Sequence, residues 1–138
     1  MPGSNWITDQ IAIGNYREAT NRSFLAEHEI QSVLSLDGTL SPPHAAGLGL
    51  LEVVGYRFID GEGNDPRLFR LAVDDLQRLI EVAPPVLVHC HAGRSRSAVV
   101  VAAYLMRAHG LKPAEAIARV ASRREINITP ELLELLET

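Results

Sequence analysis

The stretch from Val86 to Met106 constrains the fold more than any other part of the chain. Val86-Leu87-Val88 is a continuous apolar run of the kind found in strands buried on both faces. It leads directly into a polar segment, His89-Cys90-His91-Ala92-Gly93-Arg94-Ser95-Arg96-Ser97, and then into apolar residues up to Met106. A strand buried on both faces needs helices above and below its sheet, so this stretch predicts strand, tight loop and helix within an α/β layer.

The remaining punctuation fits that frame. Ile11-Ala12-Ile13 before Gly14, Ser32 to Leu36 before Asp37-Gly38, and Val53 to Ile59 read as strands. Helical spacing occurs over residues 20–29, from Pro66 to about residue 82, over residues 95–109 before Gly110, from Lys112-Pro113 to about Arg123, and from Pro130 onward. Residues 39–49 read as a loop with room for one helical turn, and the polar, glycine-rich run Asp60 to Asp65 reads as a loop. Strands alternating with helices predict a central, mostly parallel sheet.

Composition narrows the function classes. The 138 residues suit one domain, 1–138, and carry a net charge of −4, which argues against a broad nucleic-acid or anionic-membrane surface. Cys90 is the one cysteine, so no intramolecular disulfide can form and a reducing compartment is expected. The first residues lack the basic and apolar regions of a signal peptide. Ala98 to Met106, the longest apolar run, is about half of the ~20 residues that span a bilayer. A cytoplasmic monomer is the expectation. Every basic residue except Lys112 is arginine, a bias that genome composition explains as well as anion recognition does.

The loop after Val88 carries the chemistry. Successive backbone N–H groups at a helix N-terminus converge on an anion, and the helix dipole adds positive charge. Gly93 permits the turn, while Arg96 can fold back and fork two oxygens of a bound oxyanion. A cysteine is mostly thiol at neutral pH, but a helix N-terminus and nearby cations favour the nucleophilic thiolate. The anion site would therefore also activate Cys90.

At these residues the chain resembles the cysteine-dependent dual-specificity protein phosphatases. Their pattern HC-x₂-G-x₂-R-[ST] is met by His89, Cys90, Gly93, Arg96 and Ser97. The resemblance extends to Trp6-Ile7 through Gly14-Asn15, to Ala19 and Leu25, and to the strand Ile30 to Leu36. It implies a sheet of about five strands and a metal-free, cofactor-free phosphomonoesterase acting on phosphorylated protein. Cys90 would form a phosphocysteine, and the N–H groups of His91, Ala92, Gly93, Arg94, Ser95 and Arg96 would hold the phosphoryl oxygens. Arg96 would stabilise their charge, Ser97 would hydrogen-bond the sulfur, and His89 would support the loop.

A general acid must protonate the leaving oxygen. Asp60, after the strand ending Tyr56-Arg57-Phe58-Ile59, resembles the family's acid position. Asp65, Asp37 and Glu62 are alternatives, with Asp65-Pro66 also fitting a helix N-cap. Arg94 suits solvent and substrate equally. Arg123 and Arg124 read as cations at a helix C-terminus, although the family sometimes lines its pocket rim there. Asn127-Ile128-Thr129-Pro130-Glu131 departs from the family's Pro-Asn, which puts an asparagine contact in doubt.

The short chain leaves no room for the long loops that deepen the pocket in tyrosine-only relatives, so phosphoserine and phosphothreonine are expected substrates beside phosphotyrosine. The rivals are a phosphoinositide, RNA 5′-phosphate or sugar phosphate as substrate, a non-catalytic phosphoprotein-binding module, and the anion loops of rhodaneses and arsenate reductases. A metal reading of His89, Cys90 and His91 is weak, because adjacent strand residues face opposite ways.

Overall fold

The computed structural model describes residues 6–137; the segment before Trp6 lies outside the described residues. Four strands, β1 (Ile11–Gly14), β2 (Ser32–Ser35), β3 (Glu52–Gly55) and β4 (Val86–His89), form one sheet in the order β1-β4-β2-β3. All three pairings are parallel, with His89 in register with Gly14 on one side and Ser35 on the other. The alternation of side chains explains why helices cover both faces. Ile11, Ile13, Leu34, Val86 and Val88 enter one core, whereas Ala12, Val33, Val53 and Leu87 enter the other.

The helices divide accordingly. α1 (Tyr16–Ala19), α2 (Arg22–Glu27) and α3 (Ala45–Leu48) contribute Ala19, Leu25 and Ala45 to the smaller core. The larger core is built on α4 (Pro66–Val82), α5 (Arg96–His109), α6 (Pro113–Ala121) and α7 (Pro130–Leu133), which supply Leu76, Leu105, Val120 and Leu132. No helix among the described residues is long and apolar enough to cross a membrane.

Two expectations need correction. The described residues form four strands rather than about five, with Trp6 making an isolated antiparallel bridge to Ala12. The strand expected over Val53 to Ile59 ends at Gly55, where a Cβ would stand 2.4 Å from the Leu40 carbonyl oxygen. Beyond it the chain still follows β2: Tyr56 N–H donates to Ser35 at 2.7 Å and Phe58 N–H to Leu36 at 2.9 Å. That path carries residues 58–60 to the carboxyl ends of β2 and β4. In open parallel sheets this edge is where ligands bind.

Candidate active site

β4 delivers Cys90 to the loop as a buried residue, 2% exposed, and α5 begins six residues later at Arg96. The loop's shape follows from the partners of its carbonyls. Cys90 O accepts from His89 Nδ1 at 3.2 Å and His91 O from Tyr16 N–H at 3.1 Å. Ala92 O and Gly93 O accept from Arg124, at 3.2 Å from Nη2 and 2.6 Å from Nε. Arg94 O accepts from Asn127 N–H and Ser95 O from Val99 N–H, both at 2.9 Å.

Each carbonyl from Cys90 to Ser95 is thereby held by a group outside the loop. In a planar trans peptide the N–H points away from the C=O. The amides of His91 through Arg96 therefore turn to the opposite side, the arrangement that cradles an oxyanion.

The supporting contacts are specific. His89 is fully buried, and its Nε2 lies 2.8 Å from Ser35 Oγ, which itself accepts from Leu40 N–H at 3.2 Å. A carbonyl cannot donate, so Nδ1 carries the proton toward Cys90 O and Nε2 accepts from the Ser35 hydroxyl. Burial depresses the imidazole's pKa, which favours this neutral form. Gly93 has φ +71°, and a Cβ there would stand 2.5 Å from both Gly14 O and Arg124 Nη2, so only glycine fits.

The sulfur and the cation also come together. Cys90 Sγ lies 3.3 Å from Ser97 Oγ. Arg96 donates from Nη1 to Phe58 O at 2.9 Å, while its buried Nε has no hydrogen-bond partner. A buried guanidinium N–H left unpaired costs stability unless a ligand completes it.

Among the candidate acids, Asp60 is the one the structure brings to the loop. Its Oδ1 accepts from Ser95 Oγ at 2.7 Å, and the same Oγ accepts from Thr129 N–H at 3.3 Å. Asp65 instead caps α4: Arg67 N–H donates to it at 2.9 Å, and that bond together with the Arg67 guanidinium holds its carboxyl below the usual value. At Asp37 burial raises the carboxyl pKa, but hydrogen bonds from Thr39 and the charge of Arg96 outweigh this and leave it lowered. Neither environment keeps a proton on the carboxyl. Glu62 is exposed in the same loop as Asp60, with no hydrogen bond to residues 89–97.

Other readings shift. Arg94 is half exposed and stands 3.9 Å from exposed Glu125, a solvated pair. The His91 ring stacks on Tyr16, with centroids 4.6 Å apart, a contact that its place in the motif did not reveal. Segment 127–129 meets the loop through backbone N–H groups of Asn127 and Thr129. Arg124 lies beyond the end of α6 at Ala121, not on the helix, and its guanidinium is turned beneath the loop rather than to a rim. Nothing in its local sequence signals that position.

Comparison with known proteins agrees with this geometry. The family model for the dual-specificity phosphatase catalytic domain matches residues 11–137. Dual specificity protein phosphatase 1 of Arabidopsis thaliana is 31% identical over 121 residues, covering 87% of this chain and 60% of that protein. Phosphatidylglycerophosphatase and protein-tyrosine phosphatase 1 of Rattus norvegicus is 55% identical over 53 residues, 38% of this chain and 28% of that one. The chain thus spans less than two thirds of either relative. Among solved structures, that of PTPMT1 superposes with a TM-score of 0.81 at 27% identity, covering 96% of this chain and 90% of that one.

Proposed function

The chain belongs to the dual-specificity phosphatase family and is a cysteine-dependent phosphatase, and on that premise we propose that it hydrolyses phosphotyrosine, phosphoserine and phosphothreonine on proteins through a phosphocysteine on Cys90. The observation that carries this reading is the loop whose carbonyls from Cys90 to Ser95 are all bound from outside, with the sulfur beneath it.

In the proposed first step the Cys90 thiolate attacks phosphorus as the P–O ester bond breaks. The loop amides and Arg96 hold the three non-bridging oxygens, and Asp60 gives its proton to the leaving oxygen. Water then attacks the phosphocysteine, the S–P bond breaks, and Asp60 takes the water's proton. Ser97, 3.3 Å from the sulfur, eases its departure as a thiolate. Orthophosphate leaves and the enzyme is restored. His91, Ala92 and Arg94 are exposed around the loop, a low rim that suits phosphoserine and phosphothreonine as well as phosphotyrosine. The reading takes the enzyme to act as a cytoplasmic monomer.

A phospholipid phosphomonoester is the second reading. The local likeness to a relative named for both phosphatidylglycerophosphatase and protein-tyrosine phosphatase activity favours it. Against it, the loop carries no lysine.

The test is turnover of p-nitrophenyl phosphate in the presence of chelator, followed by phosphopeptide and phospholipid panels. Cys90→Ser should abolish turnover while retaining phosphate binding, because a hydroxyl is not ionised in the cradle. More than a few per cent of wild-type kcat in that variant would remove Cys90 as the nucleophile. Preference for phospholipid over every phosphopeptide would replace the protein-substrate reading with the second one.

A further inference from the structure

Three of the six loop carbonyls take their partners from fixed backbone: Tyr16 N–H at the start of α1, Asn127 N–H, and the first turn of α5, while Cys90 O is held by the side chain of its neighbour His89. Ala92 and Gly93 are different, because both depend on one distant side chain, Arg124. They are also where the loop is easiest to misfold. Gly93 lacks a Cβ, so the peptide planes on either side of it rotate with little steric resistance. A flip of either plane would replace an inward N–H by a carbonyl oxygen, turning attraction for a phosphoryl group into repulsion.

We propose that Arg124 is a positioning residue that locks these two peptides, and so keeps the amides of Gly93 and Arg94 aimed at the bound phosphoryl group. The guanidinium suits the task. Nε and Nη2 engage adjacent carbonyls, while Nη1 donates to Ile13 O at 3.1 Å, tying the loop to β1. Burial lowers its pKa, yet an arginine remains a cation in proteins. Its positive charge on the carbonyl side adds to the field at the anion site. One planar fork reaches three carbonyls at once, which a lysine ammonium on a flexible stem cannot reproduce. Arg124 acts through the loop amides and need not touch substrate.

This inference rests on the phosphatase reading of the loop, and the experiment separates the two. Tungstate, a phosphate mimic, is titrated by calorimetry into wild type, Arg124→Lys and Arg124→Gln, alongside melting temperature and p-nitrophenyl phosphate kinetics. Both variants should bind tungstate roughly tenfold or more weakly, since loss of a single donor from an oxyanion site costs about 10²–10³ in kcat. Their kcat/KM should fall, but the dependence of rate on leaving-group acidity should stay, because Asp60 is untouched. Alkylation of Cys90 by iodoacetate at neutral pH should slow in both.

Rescue of tungstate binding and alkylation by Arg124→Lys would mean that charge alone matters, and would overturn the proposal. So would a lower melting temperature with wild-type tungstate affinity below the melt, the signature of a merely structural role. If wild type itself fails to bind tungstate, the phosphatase reading falls first.

Discussion

Asp60 gains its place from one hydroxyl. Ser95 Oγ accepts the Thr129 N–H and donates to Asp60 Oδ1, so its single proton is committed to that oxygen. A proton on the carboxyl then belongs on Oδ2, the oxygen left to face a leaving group. Asp60→Asn should lower kcat on phenyl phosphates by roughly 10²–10⁴, the usual span for general acid catalysis. Steady-state kinetics across phenols of increasing acidity check it, because an acidic phenol needs no proton and the loss should shrink along the series. Asp65→Asn, which only weakens the cap of α4, should leave that dependence intact. If Asp65→Asn carries the leaving-group dependence instead, the acid lies at the helix entry and Asp60 serves only to hold the loop.

At the scale of elements, the junction of β4 and the loop is sealed by His89 bonded to Ser35 of β2. An unfolded histidine titrates near pH 6.5, and burial lowers the folded value of His89. Between those two values the unfolded chain binds more protons than the folded one, so stability must fall as pH falls. The contribution is fully present above about pH 7 and is lost on acidification below about 6.5. Urea midpoints from pH 8 to pH 5 should therefore decline, and His89→Asn should start lower but decline less steeply. Parallel declines in the two proteins would show that His89 is not the group responsible. The physical obstacle to protonation is local: a proton on Nε2 would face the Ser35 oxygen, whose other partner is Leu40 N–H.

Across the whole molecule, the sheet separates two apolar cores. Leu87 of β4 faces the smaller and Leu105 of α5 the larger, both essentially fully buried. Truncating either to alanine should cost about 2–5 kcal/mol. Because the two leucines sit in different cores, the double variant should equal the sum of the singles within about 0.5 kcal/mol. Equilibrium unfolding in denaturant measures all three. A coupling above ~1 kcal/mol would mean that β4 transmits strain between its faces, and hence from either core into the loop it carries.

What the sequence determined by itself was whatever depends on near neighbours. The buried run at Val86, the motif from His89 to Ser97 and the helix beyond it are contiguous, so periodicity and spacing were enough to place them. The N-cap at Asp65 was legible for the same reason, since a cap is closed within one helical turn. The tertiary structure alone decided what joins distant segments. It ended β3 at Gly55 through the Leu40 carbonyl, stacked Tyr16 on His91, brought Ser95 to Asp60, and turned Arg124 from an expected helix-end cation into a clasp on Ala92, Gly93 and Ile13. Backbone carbonyls leave no mark in sequence, because every residue has one. Which of them lacks a partner, and which side chain reaches it, is settled only when the sheet edge and the last helices close around the loop.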